Sequence, residues 1–285
     1  MMSAYHPSEK DTSEKDTPEK DPSENSDLQG GPKPPALYRR RAFFLMLTFG
    51  VLWIAICAIS VHGFTLFQWV RDTYSGRIFW QKPGSSGRAD APEKLVALTF
   101  DDGPNPNYTP RIATILARYG VHATFFQEGC MVSMYPELTR ALQAQGHCIG
   151  NHTYSHPCLT RISASQIRRE IAEGQEALST RAGIQSHLFR PPYGEWDDRV
   201  YQEAERAHLS IILWSVALEH HEVPTPQQMA DRALRLIRPG GILLMHDGTD
   251  PPRETTVQAL PLVLEGLKRR GYRCVTIPEL LALKE

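Results

Sequence analysis

Lys94-Leu95-Val96-Ala97-Leu98-Thr99-Phe100-Asp101-Asp102-Gly103-Pro104 is an apolar run that ends on two adjacent carboxylates. The run Leu95–Phe100 reads as a buried strand, and Gly103-Pro104 is a sequence that stops one. Neighbouring carboxylates repel each other unless a cation or a shared proton relieves them. A solvated turn is the alternative, because Asp and Gly are common turn residues.

Around this run, short β-rich stretches alternate with helix-length amphipathic ones from residue 91 to 285. Strands are expected at 95–100, 123–126, 148–151, 187–190, 209–215, 241–246 and 272–276, and helices at 110–119, 136–145, 163–180, 197–207, 226–237 and 256–270. Such alternation argues for an α/β fold with parallel strands, either a barrel or an open doubly wound sheet. Asp101, Asp102, His152, Arg190, Glu219 and His246 all fall at or just past expected strand ends. Barrels build their sites on that rim from several strands, whereas an open sheet gathers them at one switch point. A barrel is therefore expected.

The chain has 285 residues and a formal net charge of -1, so no global field attracts nucleic acid. Residues 1–37 hold few large apolar groups and carry an imperfect repeat, Ser8-Glu9-Lys10-Asp11-Thr12 followed by Ser13-Glu14-Lys15-Asp16-Thr17. This composition reads as a disordered tail. Arg39-Arg40-Arg41 precedes the uncharged run Ala42 to Val61, about the length that crosses a hydrocarbon core as a helix. Residues 38–70 are thus expected to be a single transmembrane anchor. The arginines put the tail in the cytoplasm and the rest outside the membrane. Residues 71–90 read as a linker, and 91–285 as one exported domain. Of five cysteines, Cys130, Cys148, Cys158 and Cys274 lie in that domain, without CxxC spacing. They are expected as buried thiols or as disulfide partners.

Three further clusters carry chemistry. In Asn151-His152-Thr153-Tyr154-Ser155-His156, two histidines four apart would share one face of a helical turn, and with Asp102 they make a His-His-carboxylate set able to hold a metal. In Phe189-Arg190-Pro191-Pro192-Tyr193-Gly194, a guanidinium at a strand end can clamp an aspartate. The prolines fix a loop whose N–H groups can face an oxyanion. In Gly241-Ile242-Leu243-Leu244-Met245-His246, a histidine ends an apolar strand and suits a general acid.

These four segments resemble, in order, motifs of the polysaccharide deacetylase family (carbohydrate esterase family 4) across residues 95–281. The resemblance implies a distorted (β/α)7 barrel that removes N-acetyl, sometimes O-acetyl, groups from a polysaccharide such as peptidoglycan or a chitin-like glycan. It implies Asp102, His152 and His156 as ligands of a divalent metal, usually Zn2+, with Co2+ or Ni2+ as alternatives. It implies Asp101 as base, Arg190 as its partner, His246 as acid and the Tyr193 N–H as oxyanion donor. One motif departs. Where the family shows Asp-x-x-Asp-Trp, alignment through Trp214-Ser215-Val216 puts Ala217, His220 and His221. Glu219 or Glu222 is then expected to support His246. The departure leaves open a catalytically altered glycan-binding domain, and the anchor equally suits a lipid-linked or exported glycan as substrate.

Overall fold

Nine strands joined by helices make up a computed structural model of the chain, in which residues 78–80, 93–219, 225–249 and 253–282 are described. The strands are β1 (Ile78–Phe79), β2 (Lys94–Gly103), β3 (Thr124–Gln127), β4 (Cys148–Asn151), β5 (Leu188–Phe189), β6 (Ser210–Ile212), β7 (Val216–Ala217), β8 (Gly241–His246) and β9 (Tyr272–Val275). The helices are α1 (Thr109–Arg118), α2 (Gly129–Met134), α3 (Pro136–Ala144), α4 (Ala164–Ala177), α5 (Asp198–Arg206), α6 (Pro226–Leu236), α7 (Glu254–Arg269) and α8 (Ile277–Ala282). All strand pairs are parallel, in the order β1-β6-β5-β4-β3-β2-β8-β7, with β9 also pairing with β2.

The sheet curls without closing its ladder among the described residues. Three residues, 213–215, carry the chain from β6 near one edge to β7 at the other. A link that short spans no more than about 14 Å, so the two edges face each other across a narrow seam. Leu213 N–H donates to Phe79 on one side of it, and Ser215 N–H to Ile242 on the other. The expected barrel is thus a curled parallel α/β half-barrel.

Strand β2 is buried on both faces, as a parallel strand under helices must be. Its even residues Val96, Leu98 and Phe100 pack outward with Leu243 and Met245 against the helix layer. Its odd residues Leu95 and Ala97 point inward, with Phe126, Ile242, Val275 and Leu280. The two-residue period carries that inward face on to Thr99 and Asp101, so the interior turns from apolar to polar toward the strand ends.

Two expectations need correction. The strand runs to Gly103 rather than ending at Phe100, which places both aspartates inside it. Strands β1 and β7 and helices α2 and α8 were not anticipated; β1 lies within the stretch read as a linker, and two-residue strands carry no periodicity to read. Of the two alternatives for the cysteines, the thiol one holds: Cys130, Cys148, Cys158 and Cys274 are free and partly buried. Burial pushes the Cys274 thiol up to about 12. The tail and the run 42–61 lie outside the described residues, among which no helix is long and apolar enough to cross a membrane.

Candidate active site

A β-bulge separates the two aspartates. Asp101 pairs with Phe126 and Gly103 with Gln127, so Asp102 is left out of the register. Its φ is 72°, a left-handed conformation uncommon for a residue with a side chain. A bulge re-aims the side chain it displaces. Asp101 therefore keeps the inward direction of Leu95, Ala97 and Thr99, and Asp102 turns toward the strand-end surface.

Asp101 is met inside the barrel by Arg190, which follows β5 and is fully buried. Its Nη1 donates to Asp101 Oδ1 at 2.7 Å and to Thr99 Oγ1 at 2.9 Å. Nε donates to the Ile212 carbonyl and Nη2 to that of Leu213, at 2.8 and 3.0 Å. The guanidinium also lies over the Phe126 ring, 4.1 Å from its centroid. A buried charge is tolerable only when paired and hydrogen-bonded in this way.

Asp102 is met by the two histidines. Its Oδ1 lies 3.4 Å from Nε2 of His152 and 3.4 Å from Nε2 of His156. Among the described residues, Asp102, His152 and His156 bring one ligand atom each within 4.8 Å of one another. The His152 Nδ1 is 2.6 Å from the Arg190 carbonyl, which can only accept, so Nδ1 carries the hydrogen. Nε2 then faces a carboxylate oxygen with its lone pair, an arrangement that a proton or a cation stabilises. The donor set fits a divalent metal that retains an open position. Without one, burial opposes charge on Asp102, but the His152 hydrogen bond and the surrounding imidazoles hold its carboxyl far below the usual range.

The histidine pair does not sit on a helical turn. Residues 152–158 are irregular, with φ of 69° at Thr153 and 60° at His156. Side chains hold this loop. Asn151 Oδ1 accepts from Thr153 N–H, Thr153 Oγ1 accepts from His156 N–H, and Glu170 accepts from the N–H groups of Tyr154 and Ser155. Non-glycine residues of positive φ gather at this site, Tyr193 (62°) included. Such strained positions concentrate where a side chain must be aimed.

His246 closes the opposite wall. It is in register with Asp101 on the neighbouring strand, so both point into the cavity. Its Nδ1 is 3.2 Å from Oε2 of Glu219, an ion pair not aligned as a hydrogen bond. Glu219 Oε1 accepts from His246 N–H at 3.1 Å and from Thr256 Oγ1 at 2.8 Å. Burial pulls the His246 pKa down, yet Glu219 and the two aspartates outweigh it and raise it above the ordinary value. Glu222, the other expected support, lies outside the described residues, as do His220 and His221.

These side chains line a cavity of about 680 Å³, with Tyr193, Trp214 and Leu244 on its walls. Tyr193 is exposed at the rim, its ring edge-on to His156 at 4.8 Å. Gly194, at φ 68°, brings the backbone against the Trp214 ring, where an added Cβ would sit 2.6 Å away.

Glu128, Arg253 and Asp247 were missed from sequence. Glu128 follows β3 on the same rim, so the strand-end rule that found the others could have found it. Burial, and then the Asp102 charge, push its carboxyl up to about 7. Arg253 lies beyond a loop after β8, and no local pattern signals it. Asp247 is fully buried under the bulge, accepting from Thr109 Oγ1.

The profile of the polysaccharide deacetylase family matches residues 88–212. A peptidoglycan-N-acetylglucosamine deacetylase of Bacillus cereus is 35% identical over 212 residues, which is 74% of this chain and 95% of the relative. The chain belongs to the polysaccharide deacetylase family. Within it, a chitooligosaccharide deacetylase of Bradyrhizobium is 36% identical over 199 residues, covering 66% of this chain and 90% of the relative. A solved peptidoglycan N-acetylglucosamine deacetylase superposes with a TM-score of 0.68 at 31% identity, covering 76% of this chain and 97% of that one. The family pseudoenzyme from Bacillus anthracis superposes at 0.64 and 29% identity, covering 72% and 69%. The curled sheet is thus the family's fold, and the chain is an amide hydrolase of that family.

Proposed function

We propose that this protein is a membrane-anchored, metal-dependent deacetylase of N-acetylated cell-envelope glycan, peptidoglycan or a chitin-like chain, working outside the membrane. The observation that carries the reading is the bulge at Asp102. It sends one aspartate to a His-His set and its neighbour to a buried arginine, with a histidine in register across the cavity.

Asp102, His152 and His156 would hold the metal, zinc as the family resemblance implies, since a His-His-carboxylate set also accepts cobalt or nickel. A divalent cation there supplies Lewis acidity, lowering the pKa of water and polarising the acetyl carbonyl. Asp101, with Oδ1 fixed by Arg190, takes the proton of the attacking water on Oδ2. The Tyr193 N–H, on a loop fixed by Pro191 and Pro192, donates to the developing oxyanion. Trp214 and Leu244 offer an apolar wall for the acetyl methyl. His246, its protonated form favoured by the Glu219 carboxylate, protonates the departing amine. Base and acid are separate residues in different surroundings, so each can be tuned for its own step.

Names among the relatives support a glycan amide as substrate, and the Ala42–Val61 run supports the anchor. The test is acetate release by the purified protein across peptidoglycan, chitin oligomers and acetylated xylan. Release from the first two is expected. A fold that binds these glycans but frees no acetate from any would replace this reading with glycan binding.

A further inference from the structure

The carboxylate of Asp102 has two oxygens, and the structure gives them different partners. Oδ1 faces His152 and His156, as described above. Oδ2 lies 3.3 Å from Nη2 of Arg253, a side chain only 6% exposed. Arg253 stands immediately before α7, at the end of the loop from β8. Gly248, in the same loop, packs on the Cβ of Asp102 so closely that a side chain there would collide. The β8–α7 loop therefore contacts Asp102 twice, once at its stem and once at its far oxygen.

The arginine has no part in the steps derived above. Its charge, 3.3 Å from a carboxylate expected to bind a dication, works against metal binding by simple Coulomb repulsion. Placing it there makes sense only if orientation outweighs that cost. A bulged residue needs such orientation, because Asp102 has left the ladder and its carboxylate is not aimed by strand geometry. Hydrogen bonds to ligating carboxylates fix the presented oxygen and strengthen the site.

We infer that Arg253 is a positioning residue for the metal ligand Asp102, holding Oδ2 so that Oδ1 is presented to the ion between the two histidines. The inference rests on the metal reading proposed above. It concerns the strength and symmetry of the site, not the chemistry performed there.

The test uses metal-free protein titrated with zinc against a chromogenic chelator, and the visible absorption of the Co2+-loaded form. Arg253→Met keeps the apolar stem and removes the fork. It is expected to weaken zinc about 10- to 100-fold and to change the cobalt bands. Arg253→Lys keeps the charge without the planar fork and should fall between. If the methionine variant does not fold, the lysine variant decides, with a several-fold weaker Kd expected. An unchanged or tighter zinc Kd with unchanged cobalt bands overturns the inference. So does a raised KM for glycan at unchanged zinc affinity, which would make Arg253 a substrate contact. Wild-type protein that holds no zinc removes the metal reading itself, a result distinct from the variants matching a zinc-binding wild type.

Discussion

Glu219 grips His246 at two points, with Oε1 accepting the backbone N–H at 3.1 Å and Oε2 lying 3.2 Å from the ring Nδ1. One carboxylate thus holds both the main chain and the imidazole of the same residue. Thr256 Oγ1 donates to Oε1 from α7 and keeps the carboxylate in place. A partner on Nδ1 leaves Nε2 as the ring nitrogen that gives a proton to the substrate side. The carboxylate comes from a position where the family pattern has none, so its contribution can be tested directly.

Glu219→Gln is expected to shift the pH–rate profile. A general acid works while protonated, and Glu219 raises the His246 pKa, so protonation persists to higher pH. Removing that charge lowers the pKa, and the alkaline limb of kcat should move to lower pH, with activity at pH 8 reduced about 10-fold. An alkaline limb that stays in place shows that Glu219 does not support the acid.

Asp101→Asn and Arg190→Met should separate chemistry from stability. The asparagine keeps an oxygen toward Arg190 but cannot act as base, so kcat falls about 10²- to 10⁴-fold with a modest change in Tm. Arg190→Met leaves a carboxylate buried without its partner, at a cost of about 3–5 kcal/mol. Thermal unfolding beside acetate release checks both, and equal Tm losses in the two variants would contradict the division.

Chelation should abolish acetate release, and added zinc should restore it in wild type but not in His152→Ala. Zinc at 100 times its Kd should also stabilise the folded protein by about 2.7 kcal/mol. Differential scanning calorimetry with and without zinc reads this, and an unshifted Tm would speak against an ion at Asp102, His152 and His156.

Acid stability should depend on His147, far from the cavity. Its Nδ1 accepts the Ala123 N–H at 3.1 Å, so the folded state holds the neutral ring. Burial first, and His122 second, lower its pKa to about 4. The unfolded chain therefore binds a proton that the folded one does not between about pH 6.5 and 4, and stability falls as pH drops through that window. Urea midpoints at pH 7 and pH 4.5 should differ less in His147→Gln than in wild type.

Much of the fold was legible in local pattern. The boundaries of β4 and β8 follow from short apolar runs, and the outlines of α1, α3, α5 and α6 from amphipathic period. The pairs β1–β6 and β7–β8 were not legible, because two residues gain their strand character only from the neighbour they bond.

From local pattern alone, strands and helices alternate, and Asp101, Asp102, His152, Arg190 and His246 gather near the C-terminal ends of strands. Both follow from periodicity, which is local. Tertiary structure alone decided where those side chains point. The register of β2 against β3 skips Asp102, and this separates two chemically identical neighbours into one partner of Arg190 and one of the histidines. It also decided that Glu219 reaches His246, and that Arg253 returns from beyond the β8–α7 loop to the far oxygen of Asp102. Side-chain direction depends on backbone dihedrals set by distant strands, which no window of sequence contains.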